Sequence, residues 1–222
     1  MKKVLVIAPH ADDESLGCAG TILRYRDEGA SIHWLIVTGM SKQAGFDDEQ
    51  ISTRDAEIKK VQNTYKFDSV TRLDFLPAAL DAVPIGNIIK AIGQSVEDIV
   101  PDIVFTPYRN DAHSDHKIVF DAVMSATKSF RYPFIKRVLA YETISETDFG
   151  MKPEDGGFRP NVYTDISSYL DEKLDILDIY QSEMGEFPFP RSRKAISALA
   201  NLRGVQCNAL SAEAFMLIKE IM

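Results

Sequence analysis

Four titratable side chains stand close together where a short apolar run near the beginning of the chain ends. The run covers residues 4–8 and is followed by His10, Asp12, Asp13 and Glu14. A short apolar run rich in β-branched residues is typical of a buried parallel strand. Because ligands bind outside the carboxyl ends of such strands, we expect chemistry at this turn.

A second cluster of the same kind lies at residues 111–116, which read Asp-Ala-His-Ser-Asp-His. It follows a β-type run at 102–106 and precedes a predicted helix at 117–128. Three of the four histidines of the chain fall in the two clusters, and the fourth, His33, lies inside a predicted strand. Since both clusters follow strands, we expect them at the same edge of one sheet.

The two clusters together offer the ligands of a divalent metal ion. Imidazole nitrogen and carboxylate oxygen suit Zn²⁺, and a catalytic zinc site usually takes three protein ligands. His10 and one neighbouring aspartate supply two ligands, and the spacing permits either Asp12 or Asp13. The third must come from the second cluster. Taken singly, the acidic cluster could simply cap a helix, and the two histidines of the second cluster could simply be solvated. The occurrence of both clusters together favours a metal site.

These residues match the signatures of a known family. The chain resembles the LmbE/PIG-L family of metal-dependent N-acetylglucosaminyl deacetylases, with His-Pro-Asp-Asp-Glu after the first strand and His-x-Asp-His after a later one. Residues 9–17 and 113–116 match these signatures, with Ala11 in place of the usual proline. Residues 212–215, Ala-Glu-Ala-Phe, match the end of the family pattern, so the resemblance covers nearly the whole chain.

The resemblance implies a role for each of the principal site residues. One divalent ion, Zn²⁺ or another such as Fe²⁺, is expected to be held by His10, Asp13 and His116. Asp12 is then free to act as general base on a metal-bound water and to deliver a proton to the leaving amine. His113 would stabilise the oxyanion if it is protonated.

Four further residues are candidates for supporting roles. Arg54, which forms an Arg-x-x-Glu pair with Glu57, and Glu142 are expected to contact the substrate; a surface ion pair is the alternative for Arg54. Asp115 would favour the protonated state of His113 and orient groups of the metal site from behind. Glu213, in the terminal motif, is given the same orienting role.

The expected reaction is hydrolysis of the N-acetyl group of a small amino-sugar conjugate that contains GlcNAc, which releases acetate. Two alternatives remain open. An amidase acting on a non-sugar acyl amide would share the metal site, and a non-catalytic sugar- or nucleotide-binding module would use the same scaffold. Dinucleotide binding by the usual turn is not supported, because no Gly-x-Gly-x-x-Gly follows the first strand.

Composition limits the class of protein. The 222 residues, 45% of them hydrophobic, are expected to form one domain over 1–222. A net charge of −8 disfavours nucleic acid and anionic membranes as partners. No apolar run suits a signal peptide or a membrane span, and Cys18 and Cys207 are isolated, which together predict a cytoplasmic protein. The sequence is compatible with a monomer or a homo-oligomer.

The rest of the chain alternates between strand and helix patterns. Further strands are predicted at 31–38, 69–75, 137–141 and 161–166. Further helices are predicted at 15–26, 51–65, 85–100, 168–184 and 194–203. This alternation predicts an α/β fold, a Rossmann-like three-layer sandwich with a mostly parallel sheet and helices on both faces.

Three connecting segments have predicted roles. Residues 42–50 form a candidate lid or substrate loop at the edge of the sheet that carries the motifs. Residues 147–160 form a long loop that is either a pocket wall or a connection. Residues 190–193 form a solvated turn, with phosphate or sugar binding as the alternative.

Overall fold

In the computed structural model, which describes residues 1–150, 154 and 156–222, the chain folds around a seven-stranded sheet. The strands are β1 (Lys3–Ala8), β2 (Ser31–Thr38), β3 (Ser69–Phe75), β4 (Ile103–Pro107), β5 (Arg137–Tyr141), β6 (Val162–Asp165) and β7 (Ala212–Glu220). The α-helices of the described residues are α1 (Asp13–Asp27), α2 (Asp48–Tyr65), α3 (Ile85–Ile99), α4 (Ser114–Ala126), α5 (Leu170–Leu177) and α6 (Arg193–Cys207).

The strand order explains why the two histidine clusters meet. The order is β3-β2-β1-β4-β5-β7-β6. Strands β1 to β5 are parallel to one another, and β7 is antiparallel to both β5 and β6. The chain places β2 and β3 on one side of β1 and then β4 and β5 on the other side, so β4 is the direct neighbour of β1. Ligands bind at such a switch point in open α/β sheets.

Both faces of the sheet are covered, which confirms the predicted three-layer sandwich. Alternate residues of β1 point to opposite sides: Val4 and Val6 belong to a core formed with α1 and α2, whereas Leu5 and Ile7 belong to a core formed with α3 and α4. All four side chains are fully buried. Because both faces of this strand are buried, its sequence is continuously apolar rather than alternating.

Two predicted helix ends were wrong. The helix predicted at 168–184 ends at Leu177, and the chain then turns so that Tyr180 is completely buried against the beginning of α1. The helix predicted to stop at Gly204 continues to Cys207, where Asn208 caps it in the left-handed conformation. A Cβ atom at Gly204 would lie 2.6 Å from the carbonyl oxygen of Ala209, so this glycine permits close packing of the backbone.

Several segments differ from their predicted form. The sequence patterns did not predict β7 as a strand, although its first residues matched the family motif. Residues 42–50 contain a short 3₁₀ helix, Lys42–Ala44, and the beginning of α2, where Asp47 and Gln50 form a reciprocal capping box. Within the loop predicted at 147–160, residues 151–153 and 155 lie outside the described residues. Among the helices that the structure describes, none has both the length and the apolar character needed to cross a membrane.

Candidate active site

The three residues expected to hold a metal ion come together above the carboxyl ends of β1 and β4. His10 follows β1, Asp13 begins α1, and His116 lies in the first turn of α4. Oδ2 of Asp13 is 3.2 Å from Nδ1 of His10 and 3.3 Å from Nε2 of His116. One ligand atom from each residue lies within 4.8 Å of the others, which is close enough for one ion to contact all three.

The second nitrogen of each histidine is held by a carboxylate. Nε2 of His10 is 3.1 Å from Asp115, and Nδ1 of His116 is 2.7 Å from Asp111. Nδ1 of His10 and Nε2 of His116 are thereby left to face Asp13. His116 is completely buried, and its Nε2 has no hydrogen-bond partner among the described residues. A buried, unpartnered imidazole nitrogen beside a carboxylate fits a metal ligand, and carboxylates behind ligating histidines are typical of metal sites.

The charges around the cluster favour a cation. Burial alone would lower the pKa of both histidines, but hydrogen bonds and attraction from the carboxylates raise the pKa of His10 to about 9 and that of His116 to about 10. Burial opposes ionisation of Asp13, yet the two histidines hold the pKa of this carboxyl well below its usual range. The cluster therefore stabilises positive charge next to an ionised carboxylate, as a bound divalent cation requires.

Another grouping could also be considered for a metal. His10, His113 and Asp115 place ligand atoms within 4.8 Å of one another. However, Nδ1 of His113 accepts a hydrogen bond from the backbone N–H of Asp115, and Asp115 accepts another from Ala78. These groups are already hydrogen-bonded, whereas Nε2 of His116 makes no hydrogen bond to the described residues and faces the carboxylate of Asp13, so the grouping with Asp13 is the better metal site.

Asp12 lies at the turn between β1 and α1 in an unusual conformation. Its φ of 153° is rare for a residue with a side chain, and its backbone N–H donates to Glu14. Its buried carboxylate lines a cavity and accepts a hydrogen bond of 2.7 Å from Arg191. Burial, followed by repulsion from Asp13, raises the pKa of Asp12 to about 7 despite the attraction of Arg191. A carboxyl with this pKa can both take and return a proton near neutral pH.

Glu14 supports the turn from inside the protein. Its completely buried carboxyl accepts hydrogen bonds from the hydroxyls of Ser15 and Tyr180, at 2.6 and 2.9 Å, in addition to the N–H of Asp12. Burial raises the pKa of Glu14 to about 8. The glutamate of the motif is therefore a positioning residue that holds the backbone of Asp12.

The sequence placed Arg191 in a solvated turn, with phosphate or sugar binding as the alternative, and the prediction of a solvated turn was wrong for this residue. Its guanidinium is largely buried and donates to Asp12, to the hydroxyl of Ser145 at 2.8 Å and to Glu183 at 2.9 Å. Arg193, in the same segment, is exposed and forms ion pairs on the surface. No local pattern distinguishes the two arginines, because the partner of Arg191 lies 179 positions away in the chain.

Arg54 lines the same cavity, but its guanidinium is directed to protein groups. It donates to the carbonyl oxygen of Ala11 at 2.7 Å and to the hydroxyl of Ser182 at 3.1 Å, and it pairs with Glu57 and Glu183. The side chain thus holds the turn that carries Asp12. Its contact with substrate stays a prediction.

His113 lies in the cavity wall, yet the structure does not favour its protonated form. Because its Nδ1 accepts the N–H of Asp115, the neutral ring carries its proton on Nε2. Burial and the neighbouring His10, whose ring centroid is 4.4 Å away, lower the pKa of His113. A neutral imidazole can still donate a hydrogen bond from Nε2, so the oxyanion role does not require the charge expected from the sequence.

Glu142 and Glu213 lie away from this cavity. The carboxylate of Glu142 is paired with Arg203, whose Nε and Nη2 lie 2.7 and 2.5 Å from it. Glu213 accepts the backbone N–H groups of Gly20 and Thr21 and pairs with Lys173 at 2.7 Å. The contacts of Glu213 join α1, α5 and β7 rather than the metal cluster, and the predicted site roles of both glutamates have no geometric support.

The buried pair of Lys173 and Glu213 should contribute strongly to stability. Lys173→Met leaves a carboxylate buried without its cation, so we expect the free energy of unfolding to fall by about 3–5 kcal/mol. Arg193→Met, which breaks an exposed ion pair, should cost about 1 kcal/mol or less. Urea unfolding of both variants measures the difference. Equal losses would show that Glu213 is compensated in another way.

The chain is similar in sequence and in fold to several known proteins. The sequence model of the PIG-L family, described as GlcNAc-PI de-N-acetylase, matches residues 5–127. A probable N-acetyl-alpha-D-glucosaminyl L-malate deacetylase 2 of Bacillus anthracis is 25% identical over 194 residues, 82% of this chain and 81% of that protein. The diacetylchitobiose deacetylase of Thermococcus kodakarensis is 25% identical over 202 residues, 84% and 72% of the two chains. A conserved protein of Thermus thermophilus superposes with a TM-score of 0.81 at 25% identity, covering 100% of this chain and 97% of that one.

Proposed function

Because the chain belongs to the PIG-L family and is a hydrolytic N-deacetylase, we propose that it removes the N-acetyl group from a small GlcNAc-containing molecule. The similarity to a probable N-acetyl-alpha-D-glucosaminyl L-malate deacetylase and to a diacetylchitobiose deacetylase supports this substrate class. We further propose that His10, Asp13 and His116 hold one divalent ion, with Zn²⁺ the best fit to two imidazole nitrogens and one carboxylate.

One observation carries the assignment of the metal site. Nε2 of His116 is buried and unpartnered among the described residues, 3.3 Å from Asp13, while Asp111 holds the other ring nitrogen. A buried polar atom without a partner is unfavourable unless something absent from the protein chain satisfies it. When bound, a divalent ion would polarise the amide carbonyl and increase the acidity of water beside it.

Asp12 then acts as the proton carrier of the reaction. Its carboxylate takes a proton from the attacking water, whose oxygen forms a bond to the carbonyl carbon of the acetamide. The carbon–nitrogen bond breaks as Asp12 returns the proton to the nitrogen, and the products are acetate and the free amine. A carboxyl with a pKa of about 7 can perform both steps without a second acid.

The surrounding residues keep Asp12 in position. Arg191 fixes the carboxylate, Glu14 holds the backbone N–H, and Arg54 holds the preceding carbonyl of Ala11. His113, with its proton on Nε2, can donate a hydrogen bond to the developing oxyanion. Because these supports are already in place, little rearrangement is needed during the reaction.

Metal analysis combined with an acetate assay tests the proposal. The purified protein is expected to contain about one divalent ion per chain. A chelator should remove the ion and abolish acetate release from N-acetylglucosaminides, and Zn²⁺ should restore it. Simple acyl amides without a sugar serve as the comparison: turnover of these alone would indicate an amidase, and absence of both metal and turnover would indicate a binding module.

A further inference from the structure

The wall of the cavity beside Asp12 is partly apolar. Its volume of about 400 Å³ lies in the range of sites for drug-sized ligands, so it holds more than an acetamide group. Apolar residues of the wall belong to the 40–46 segment, to α2 and to the loop after β3. These are Met40, Ala44, Phe46, Ile58 and Pro77.

The arginines of the cavity wall are already paired. Three arginines line the cavity, and lysine is absent from its wall within the described part of the chain. Arg54 pairs with Glu57 and Glu183. Arg191 pairs with Asp12, with Glu183 and, at 3.5 Å, with Glu146.

The third arginine of the wall, Arg72, is paired as well. Its Nη1 lies 2.6 Å from Oδ1 of Asp55, and its Nε lies 3.2 Å from Oδ1 of Asp74. Three guanidinium groups therefore meet six carboxylates, and a negatively charged aglycone near these arginines faces an excess of negative charge. Each of these guanidinium groups already has at least two carboxylates beside it, which weakens its attraction for a further anion.

A second depression beside the cavity is lined by more carboxylates than cations. Its volume is about 280 Å³, and it shares Met40 and Arg54 with the wall of the first cavity. Its other charged lining groups are the carboxylates of Asp47, Glu49 and Glu57. An anionic group that extended from the cavity towards this depression would meet like charge.

We infer that the substrate is an N-acetylglucosaminide whose aglycone is uncharged and has an apolar part seated against Met40, Phe46 and Pro77. This inference rests on the proposed deacetylase function and narrows it to one substrate class. Apolar contact supplies the binding of the aglycone, and the paired arginines and surplus carboxylates exclude acidic aglycones.

Three glycosides of GlcNAc that differ only in the aglycone test the inference on the unmodified metal-loaded protein. They carry methyl, butyl and 3-carboxypropyl groups, and each is assayed as both anomers for acetate release. The butyl glycoside should exceed the methyl glycoside in kcat/KM by about tenfold or more, as buried methylene groups contribute. It should exceed the carboxypropyl glycoside by about tenfold or more because of charge.

Two variants and one control connect the preference to the named residues. Phe46→Ala should lower kcat/KM for the butyl glycoside about tenfold more than for the methyl glycoside. Phe130→Ala, which removes an exposed phenylalanine elsewhere, should leave their ratio unchanged. Asp55→Asn combined with Asp74→Asn frees Arg72 and should raise the relative rate of the carboxypropyl glycoside.

The outcomes separate the two levels of the proposal. A carboxypropyl glycoside that is turned over as well as the butyl glycoside, or better, overturns the inference while leaving the deacetylase function intact. An unchanged butyl preference in Phe46→Ala overturns the assigned wall. If none of the glycosides releases acetate, the proposed function fails, and this inference fails with it.

Discussion

Asp12→Asn is expected to lower kcat for acetate release by about 10²–10⁴-fold while the metal content stays unchanged. Asparagine has nearly the same shape and can still accept the hydrogen bond of 2.7 Å from Arg191, so the turn should keep its form. The amide cannot take a proton from water or return one to the leaving amine. Steady-state acetate release, with metal analysis of the same preparation, measures both quantities.

The control for this variant makes the same chemical change on the surface. Asp98→Asn alters an exposed carboxylate of α3, whose hydrogen-bond partner Gln94 is also exposed. Its kcat and metal content should equal those of the unmodified protein. If Asp12→Asn retains full kcat, another group carries the proton. If it loses the metal, Asp12 supports the ion rather than the proton transfer.

His116→Ala is expected to lose the bound metal and the activity together. His116 supplies the buried nitrogen that faces Asp13, and its removal leaves two protein ligands, one fewer than catalytic zinc sites usually have. Titration with Zn²⁺, followed by an acetate assay, compares the variant with the unmodified protein. Full metal content in His116→Ala would show that a different set of residues binds the ion.

Two further variants serve as comparisons for the expected loss of metal in His116→Ala. Asp111→Asn keeps the ligand but weakens the carboxylate that orients it, so metal affinity should fall by about 10–100-fold. His33→Ala removes a histidine of β2 whose ring nitrogens contact Ser31 and Ser69, and it should leave metal binding unchanged. An equal loss in all three variants would indicate a general effect on folding instead of a role in ligation.

Local sequence determined the chemistry and most of the elements. The apolar run of β1, the polar turn after it and the His-x-Asp-His segment at the beginning of α4 were all recognisable, because burial and turn formation act on neighbouring residues. Strands at 31–38, 69–75 and 137–141 were predicted with the bounds that the structure has. The predicted sandwich followed from the alternation of these elements.

Tertiary structure decided which of the recognised residues meet. Nothing local specifies that β4 lies beside β1, yet this pairing brings His116 to within 3.3 Å of Asp13. The packing of β7 and α5 on α1 likewise places Glu213 against Lys173, away from the metal cluster.

Arg191, which donates a hydrogen bond to the candidate base Asp12, shows why local sequence does not determine such contacts. The periodicity of a segment indicates which of its own residues are buried. It does not indicate which distant residues a long side chain contacts in the folded protein. Arg191 and Arg193 are alike in local sequence, but only Arg191 is carried by its loop to Asp12. The candidate metal-binding residue types and their positions after strands could therefore be predicted from the sequence. The pairing of distant charged residues depends on the order of the strands and the path of the loops, which only the tertiary structure determines.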